Sequence, residues 1–444
     1  MKQRKRFHSA FFVGLAVTGW LAATAPTLPA QTVYAIQGGK VFTLAGPPIE
    51  NATVVIRNGR IAAVGANVSV PRGAQVIDAA GLEVYPGLID SLSRLGLTEI
   101  GSVSATSDTT ELGDYNPQLF AATAVHPAGQ HIPVTRANGI THVVTAPGSG
   151  GTGLRASSPL IPGQASLIHL DGWTVEEMLV RKSVGLVLNW PTMSTAPVRR
   201  GGGGPRPRPF SEVKKDYEKK VAELEEWIEA ARHYAQAEAT ASRDNFERDL
   251  KLEALVPFVN GEQPVILVAN KDRAIKNGLE FAKKHRLKVI LAGGAEAWKV
   301  KDLLKEKNVP VILRPTQTVP GQEDEPYDKP FTNPGELHAA GIKIAFATFD
   351  SSSARVLPYE AANAVGYGLP REEALRAVTL YPAQILGVDD QLGTIEVGKT
   401  ANLIVTDGDP LEIQTRVRHL FIKGRLTSTD NRHRQLWEKY RNRP

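Results

Sequence analysis

Pro86-Gly87-Leu88-Ile89-Asp90-Ser91-Leu92-Ser93-Arg94 is the stretch on which the reading of this chain turns. A Pro-Gly pair opens onto an apolar run with the composition of a buried strand. Successive side chains of a strand alternate in direction, so Leu92 and Arg94 share one face near its end. An alkyl chain has no lone pair to give a metal, and a guanidinium carries only donors and keeps its charge. That face therefore offers nothing to a metal.

Upstream of this stretch, residues 32–85 alternate short apolar runs with turns. Ala52-Thr53-Val54-Val55-Ile56 and Ile61-Ala62-Ala63-Val64 flank Asn58-Gly59, a hairpin signal between two β-rich runs. The same texture returns in residues 391–425, where Leu403-Ile404-Val405 and Val417 to Ile422 are strand-like. The two ends are expected to meet in one composite β-sandwich domain, 31–85 with 391–425.

Between them, 86–390 alternates strands and helices as a parallel (β/α)8 TIM-like barrel requires. Residues 139–145, 184–188, 265–268, 289–291, 309–313 and 342–346 read as strands. Residues 274–284 and 298–307 read as helices. An insertion near 199–255 interrupts the pattern: Arg199 to Pro209 is rich in Gly, Pro and Arg, and Val213 to Leu255 is charged and helical, with Val221, Leu224, Trp227 and Ile228 at helical spacing. Residues 426–444 form a basic C-terminal tail.

The 444 residues are 42% hydrophobic and 22% charged, which is ordinary globular composition. Lys2, Arg4, Lys5 and Arg6 precede an apolar run from Ala10 to Ala23, and Leu28-Pro29-Ala30 offers a cleavage site. Residues 1–30 read as a secretory signal peptide, which predicts a periplasmic or secreted protein without stable membrane insertion once it is removed. Their loss takes away four basic residues and lowers the formal charge from +6 to +2, so the positive balance does not argue for a nucleic-acid partner. With no cysteine in the chain, disulfides and thiolate metal sites are excluded.

Several further motifs resemble the imidazolonepropionase-like branch of the amidohydrolase superfamily. Gly39 to Thr43, Val54 to Gly65 and Val76 to Gly81 are similar to its N-terminal β unit, and Pro86 to Asp90 to the end of its first barrel strand. Ala374 to Ala383 and Leu392 to Val405 resemble its late signatures, with Asn402 where Asp is usual. The resemblance implies a hydrolase of non-peptide carbon–nitrogen bonds that uses zinc or another divalent metal. It also implies a His-x-His after Asp90, where this chain has Leu92 and Arg94. Later strands should bring further metal-binding histidines or a carboxylated lysine. This chain has Val268, Ala269 and Asn270 on one, Leu291 to Gly294 on the next, and Gly185 to Trp190 with no lysine.

Asp350, in Phe346 to Ser351, sits where the resemblance places the aspartate that binds metal and shuttles a proton. It is the candidate catalytic residue; a carboxylate there also caps a following helix. Arg94, Asn270 and Lys271 are candidate binding residues, no metal ligand is assigned, and no cofactor is expected. Of the ten histidines, His142 is the first alternative ligand if its strand directs it inward, and His285 and His338 are expected to face outward. No Gly-x-Ser-x-Gly elbow occurs, and the glycines at 148–154 and 201–204 lack a phosphate-loop sequel, though 148–154 offers backbone NH groups to an anion or serves as a plain loop. Three functions follow: the first is an amidohydrolase-family hydrolase with a degenerate metal site, and the second an inactive pseudoenzyme whose barrel mouth binds a small ligand or partner. A metal-free enzyme using Asp350 with Asn270, Lys271 or Arg94 is the third.

Overall fold

The computed structural model describes residues 32–148, 159–195, 207–240, 247–322 and 324–443. Residues 1–30, expected to be a signal peptide, lie outside them, as do most of the glycine-rich stretch 148–154 and residues 199–206. No described helix is long and apolar enough to cross a membrane.

The chain begins with β1 (Tyr34–Val41), β2 (Ile49–Arg57), β3 (Arg60–Gly65), β4 (Gln75–Asp78) and β5 (Glu83–Pro86). β2 and β3 turn on Asn58 and Gly59, both at positive φ (56° and 76°), the geometry a tight right-twisted hairpin demands. β1 pairs antiparallel with β2 and, on its other edge, parallel with β4 and then β5.

The barrel follows: β6 (Leu88–Ser93), β7 (Ile140–Thr145), β8 (Gly163–His169), β9 (Leu179–Asn189), β10 (Val265–Ala269), β11 (Val289–Gly293), β12 (Val311–Leu313) and β13 (Ile344–Phe346), neighbours in that order. One strand departs from the parallel expectation. β8 runs antiparallel to both β7 and β9. The connection from β8 to β9 holds only the short helix Val175–Met178, and an antiparallel neighbour can be reached without a long crossover.

β6 and β13 come together without a regular ladder. At the lower end the backbone of 377–378 bridges them: Phe346 N donates to Ala377 O (3.1 Å) and Ile89 N to Val378 O (2.8 Å). At the upper end Phe349 N donates to Leu92 O (2.9 Å). Between these, Asp90 accepts from Thr348 N (3.0 Å) and Thr348 Oγ1 (2.5 Å). The barrel is thus closed by the Asp90–Thr348 contact and by two short backbone bridges.

The inward rows of the strands supply Ile89, Leu92, Val144, Ala146, Ala165, Leu167, Val187, Ile266, Ile290, Ala292, Ile312, Ala345 and Ala347, one buried apolar cluster. A larger cluster joins the outward rows to the helices. The insertion is a 31-residue helix, Phe210–Thr240, followed by Leu250–Val259. Val213, Leu224, Ile228, Ala231 and Tyr234, spaced by three, four or longer multiples of the helical repeat, form its buried stripe.

The chain then returns to the first sheet with β14 (Leu403–Thr406), β15 (Val417–Ile422) and β16 (Arg425–Thr427). β14 pairs with β5, so strands from both chain ends form one sheet in the order β16-β15-β14-β5-β1-β2-β3. Its own core joins Ile36, Val54 and Val84 from the first segment to Leu403, Val405 and Phe421 from the last. The exposed helix Arg432–Tyr440 follows.

Candidate functional site

In a parallel barrel the chemistry gathers where strands end, because the loops there are free to vary. β6 ends in Ser93 and Arg94, β9 in Asn189, β10 in Ala269 and Asn270, β12 in Leu313 and Arg314, and β13 leads through Ala347 to Asp350. Strand alternation fixes which of these face the axis. Leu92, Val187, Ile266, Ile312 and Ala347 belong to the inner cluster, and Val268 packs against it. Carried to the strand ends, the same rows bring Arg94, Asn189, Asn270 and Arg314 over the barrel axis.

Leu92 and Ala292 are both fully buried in the inner cluster, and Val268 is partly buried against that cluster. Carbon therefore lines the axis at these strand positions. Among the described residues no three His, Cys, Asp or Glu side chains gather as a set of metal ligands.

Asp350 is half-buried and held on two sides. Its backbone oxygen accepts from Ser93 Oγ (2.7 Å) and Thr348 Oγ1 (3.3 Å). Its carboxylate accepts from Ser352 Oγ (2.6 Å) and Ser353 N (3.0 Å), tying the turn that enters the short helix Ala354–Val356. Burial opposes ionisation of this carboxyl, yet the hydrogen bonds from Ser352, Ser353 and neighbouring backbone hold its pKa below the usual range. Phe349 just before it adopts φ +55°, a strained backbone for a bulky residue, and the Leu92 hydrogen bond keeps it there.

Arg94 is brought close to Asp350. Burial depresses the guanidinium's pKa and the Asp350 charge partly restores it. Asn270 and Lys271 are exposed at the end of β10, and no hydrogen bond or ion pair among the described residues joins either side chain to Asp350. Lys271 falls on the outward row, at the start of the helix Asp272–Lys284.

The histidines divide differently from expectation. His142 lies on the inward row of β7 with Val144 and Ala146, but about three residues, ~10 Å, below the strand end. Its partner across the β7–β8 ladder is His169, with ring centroids 4.7 Å apart. Burial pushes His142 down to about 3, and His169 down to about 2, so both imidazoles are neutral. Thr141 Oγ1 bonds His142 Nδ1 at 2.8 Å. His285 does not face outward. It is 1% exposed, beneath the helix Phe210–Thr240, with Nδ1 3.2 Å from Glu229 and its ring against Phe281. The charged insert covers it, which a helix-end position after two lysines does not betray. His338 is half-buried, with Nδ1 3.6 Å from Glu373.

Asp90 is the residue that sequence reading undervalued. It appeared only as part of a motif, yet it is fully buried at the barrel seam, and burial pushes its carboxyl up to about 7 against the pull of Thr348 and Leu92. The available signal was a charge inside an otherwise apolar strand. A cavity of about 1570 Å³ opens at the opposite, N-terminal ends of the strands, past Val184, Pro264, Val289, Val309 and Ile342. It is remote from Arg94 and Asp350, and the site is assigned to the strand C-termini on the geometry of the inward rows.

Comparison with known proteins agrees with this architecture. The model of the amidohydrolase family matches residues 328–428. Amidohydrolase tasK of Hapsidospora irregularis is 24% identical over 392 residues, which are 80% of this chain and 37% of that protein. The imidazolonepropionase of Sphingopyxis alaskensis is 40% identical over 82 residues, 17% of this chain and 20% of that protein. The chain thus spans well under half the length of these curated relatives. A crystal structure of an amidohydrolase from Thermotoga maritima superposes with a TM-score of 0.71 at 26% identity, covering 89% of this chain and 99% of that one. With the barrel, the sheet built from both chain ends and the late sequence signatures all in place, the chain is a member of the amidohydrolase superfamily.

Proposed function

We propose that this amidohydrolase-family protein is exported and binds a small molecule at the mouth of its barrel, in a site that no longer carries the superfamily's divalent metal. The observation that supports this reading is the inward row at the strand ends. Leu92, Val268 and Ala292 offer carbon where a metal needs nitrogen or oxygen lone pairs, and Arg94 adds a positive charge that repels a cation. A hydrolytic metal site takes three protein ligands and keeps a position for water. One carboxylate, already engaged by Ser352 and Ser353, does not make such a set, so the residues present do not fit a resident divalent metal. Asp350 also stands below the usual carboxylate range, far from the near-neutral pKa that suits a general base.

The second reading, hydrolysis of a non-peptide carbon–nitrogen bond, is favoured by the nearness of Arg94 to Asp350. There the carboxylate would take a proton from water while Arg94, Asn270 or Lys271 stabilised the developing negative charge.

Metal analysis of the dialysed full-length protein separates the two families of reading. Well under one zinc, manganese or iron per chain is expected, and a near-stoichiometric metal that disappears in Asp350→Asn would sink the first. Amide, lactam or imidazolone hydrolysis that survives a chelator and is lost in Asp350→Asn would establish the second. Asp350→Asn weakens the turn contacts, a change of about 1 kcal/mol, and also removes the charge that faces Arg94. Export rests on the pattern of residues 1–30, and a mature N-terminus near Gln31 is the expected result of sequencing the exported protein.

A further inference from the structure

Arg314 follows directly on β12, and its NH donates to Gly293 O (3.0 Å), so the ladder carries it to the level of the strand ends. Ile312 lies in the inner cluster and Leu313 in the outer one, which puts Arg314 on the inward row. The guanidinium is half-buried, and burial alone lowers its pKa, with no carboxylate near enough to offset it. Among the described residues it has neither an ion pair nor a side-chain hydrogen bond. Two other arginines buried to a similar degree are compensated: Arg136 is 3.2 Å from Asp171, and Arg94 feels Asp350.

A guanidinium withdrawn from water with its five donors unmatched destabilises the fold, and large uncompensated costs of this kind gather where a ligand supplies the missing partner. The matching partner is a planar or tetrahedral oxyanion, which a guanidinium grips through two parallel hydrogen bonds. Asp350 faces Arg94, whereas no carboxylate among the described residues offsets the charge of Arg314.

We propose that Arg314 anchors the oxyanion group, carboxylate or phosphate, of the small molecule bound at the barrel mouth. This rests on the reading that the mouth is a ligand site. It is independent of whether a metal is present.

The test uses the full-length protein, with succinate and inorganic phosphate as probes and neutral succinamide as control, followed by thermal unfolding and titration calorimetry. At least one anion is expected to raise the unfolding midpoint while succinamide does not; which one does so tells a carboxylate from a phosphate ligand. Arg314→Met should weaken that binding by roughly 10- to 100-fold. Without ligand, Arg314→Met should melt at or above the wild-type temperature, because it removes an unmatched buried charge. Arg314→Lys, which keeps the charge but not the fork, should bind with intermediate strength. The proposal falls if neither anion shifts the wild type, if Arg314→Met responds as the wild type does, or if ligand-free Arg314→Met melts lower, which marks a purely structural arginine. Stoichiometric metal in the same preparation, with anion binding still dependent on Arg314, would overturn the metal-free reading and leave this one standing.

Discussion

Asp90 and the pair His142–His169 give this protein two opposed responses to pH, and both come from burial. Asp90 is raised from an ordinary value near 3.8 to about 7. The folded state therefore holds a proton that the unfolded state releases. Its contribution is complete below pH ~4 and is lost as pH rises toward 7. The stability difference between wild type and Asp90→Asn should fall across that window, by an amount on the order of 2–4 kcal/mol, when chemical denaturation is repeated from pH 4 to 8. A difference independent of pH would show that Asp90 is ionised throughout. The imidazoles act in the other direction. Lowered from near 6.5 to about 3 and about 2, they favour the folded state above their ordinary pKa, and that contribution is lost as pH falls. Replacing His169 by Gln should move the acid-unfolding midpoint to lower pH, as followed by circular dichroism; an unmoved or higher midpoint would refute the burial argument.

At the scale of elements, the tightest joint is between β6 and β7. A Cβ on Gly87 would stand 2.2 Å from Thr141 Oγ1, closer than atoms can approach, so the entry to the first barrel strand requires glycine. Gly87→Ala must push β7 aside and should cost about 1–3 kcal/mol, read as a lower denaturation midpoint, whereas Gly87→Ala with Thr141→Ser should recover part of it. That Pro-Gly pair was legible in the sequence as the start of a strand, though its reason, the Thr141 side chain, was not. Other elements divide in the same way. The runs around Val265, Val289 and Val311 read as strands because burial on both faces writes itself as continuous apolar sequence. β8 was not read as one, since Gln164, Ser166 and His169 interrupt its apolar residues, and nothing in a sequence gives a strand's direction. The seam was invisible too: backbone bridges from Ala377 and Val378 leave no trace in side-chain identity. Of the candidate site, Arg94 and Asp350 were legible because a motif placed them. Arg314 was not, because its significance lies in having no counter-charge among the described residues.

The whole molecule depends on a closure that spans nearly its full length. The family match covers residues 328–428, which contain β13, the bridging backbone of 377–378 and strands β14 and β15. The late part of the chain thus completes both sheets, supplying the last barrel strand and the centre of the satellite sheet. β14 lies between β5 and β15, pairing Leu403 with Pro86 and Val405 with Val84, directly before the strand that opens the barrel. Gly87 N also donates to Asn402 O (2.9 Å), so the entry to β6 is tied to the returning chain. A protein ending at residue 390 would keep every barrel strand yet lose these ties. It would expose the edge of β5 and the fully buried faces of Ile36, Val54 and Val84, whose partners Leu403, Val405 and Phe421 are gone. An unpaired strand edge beside an uncovered apolar face is a template for association with other copies. The 1–390 protein should therefore aggregate, or elute as large species in size-exclusion chromatography, and supplying residues 391–444 as a separate chain during refolding should shift part of it to the elution volume of the full-length protein. A soluble 1–390 protein with a single cooperative melting transition would mean that the barrel closes by itself, with Asp90, Thr348 and the 377–378 bridge sufficient to hold β6 against β13.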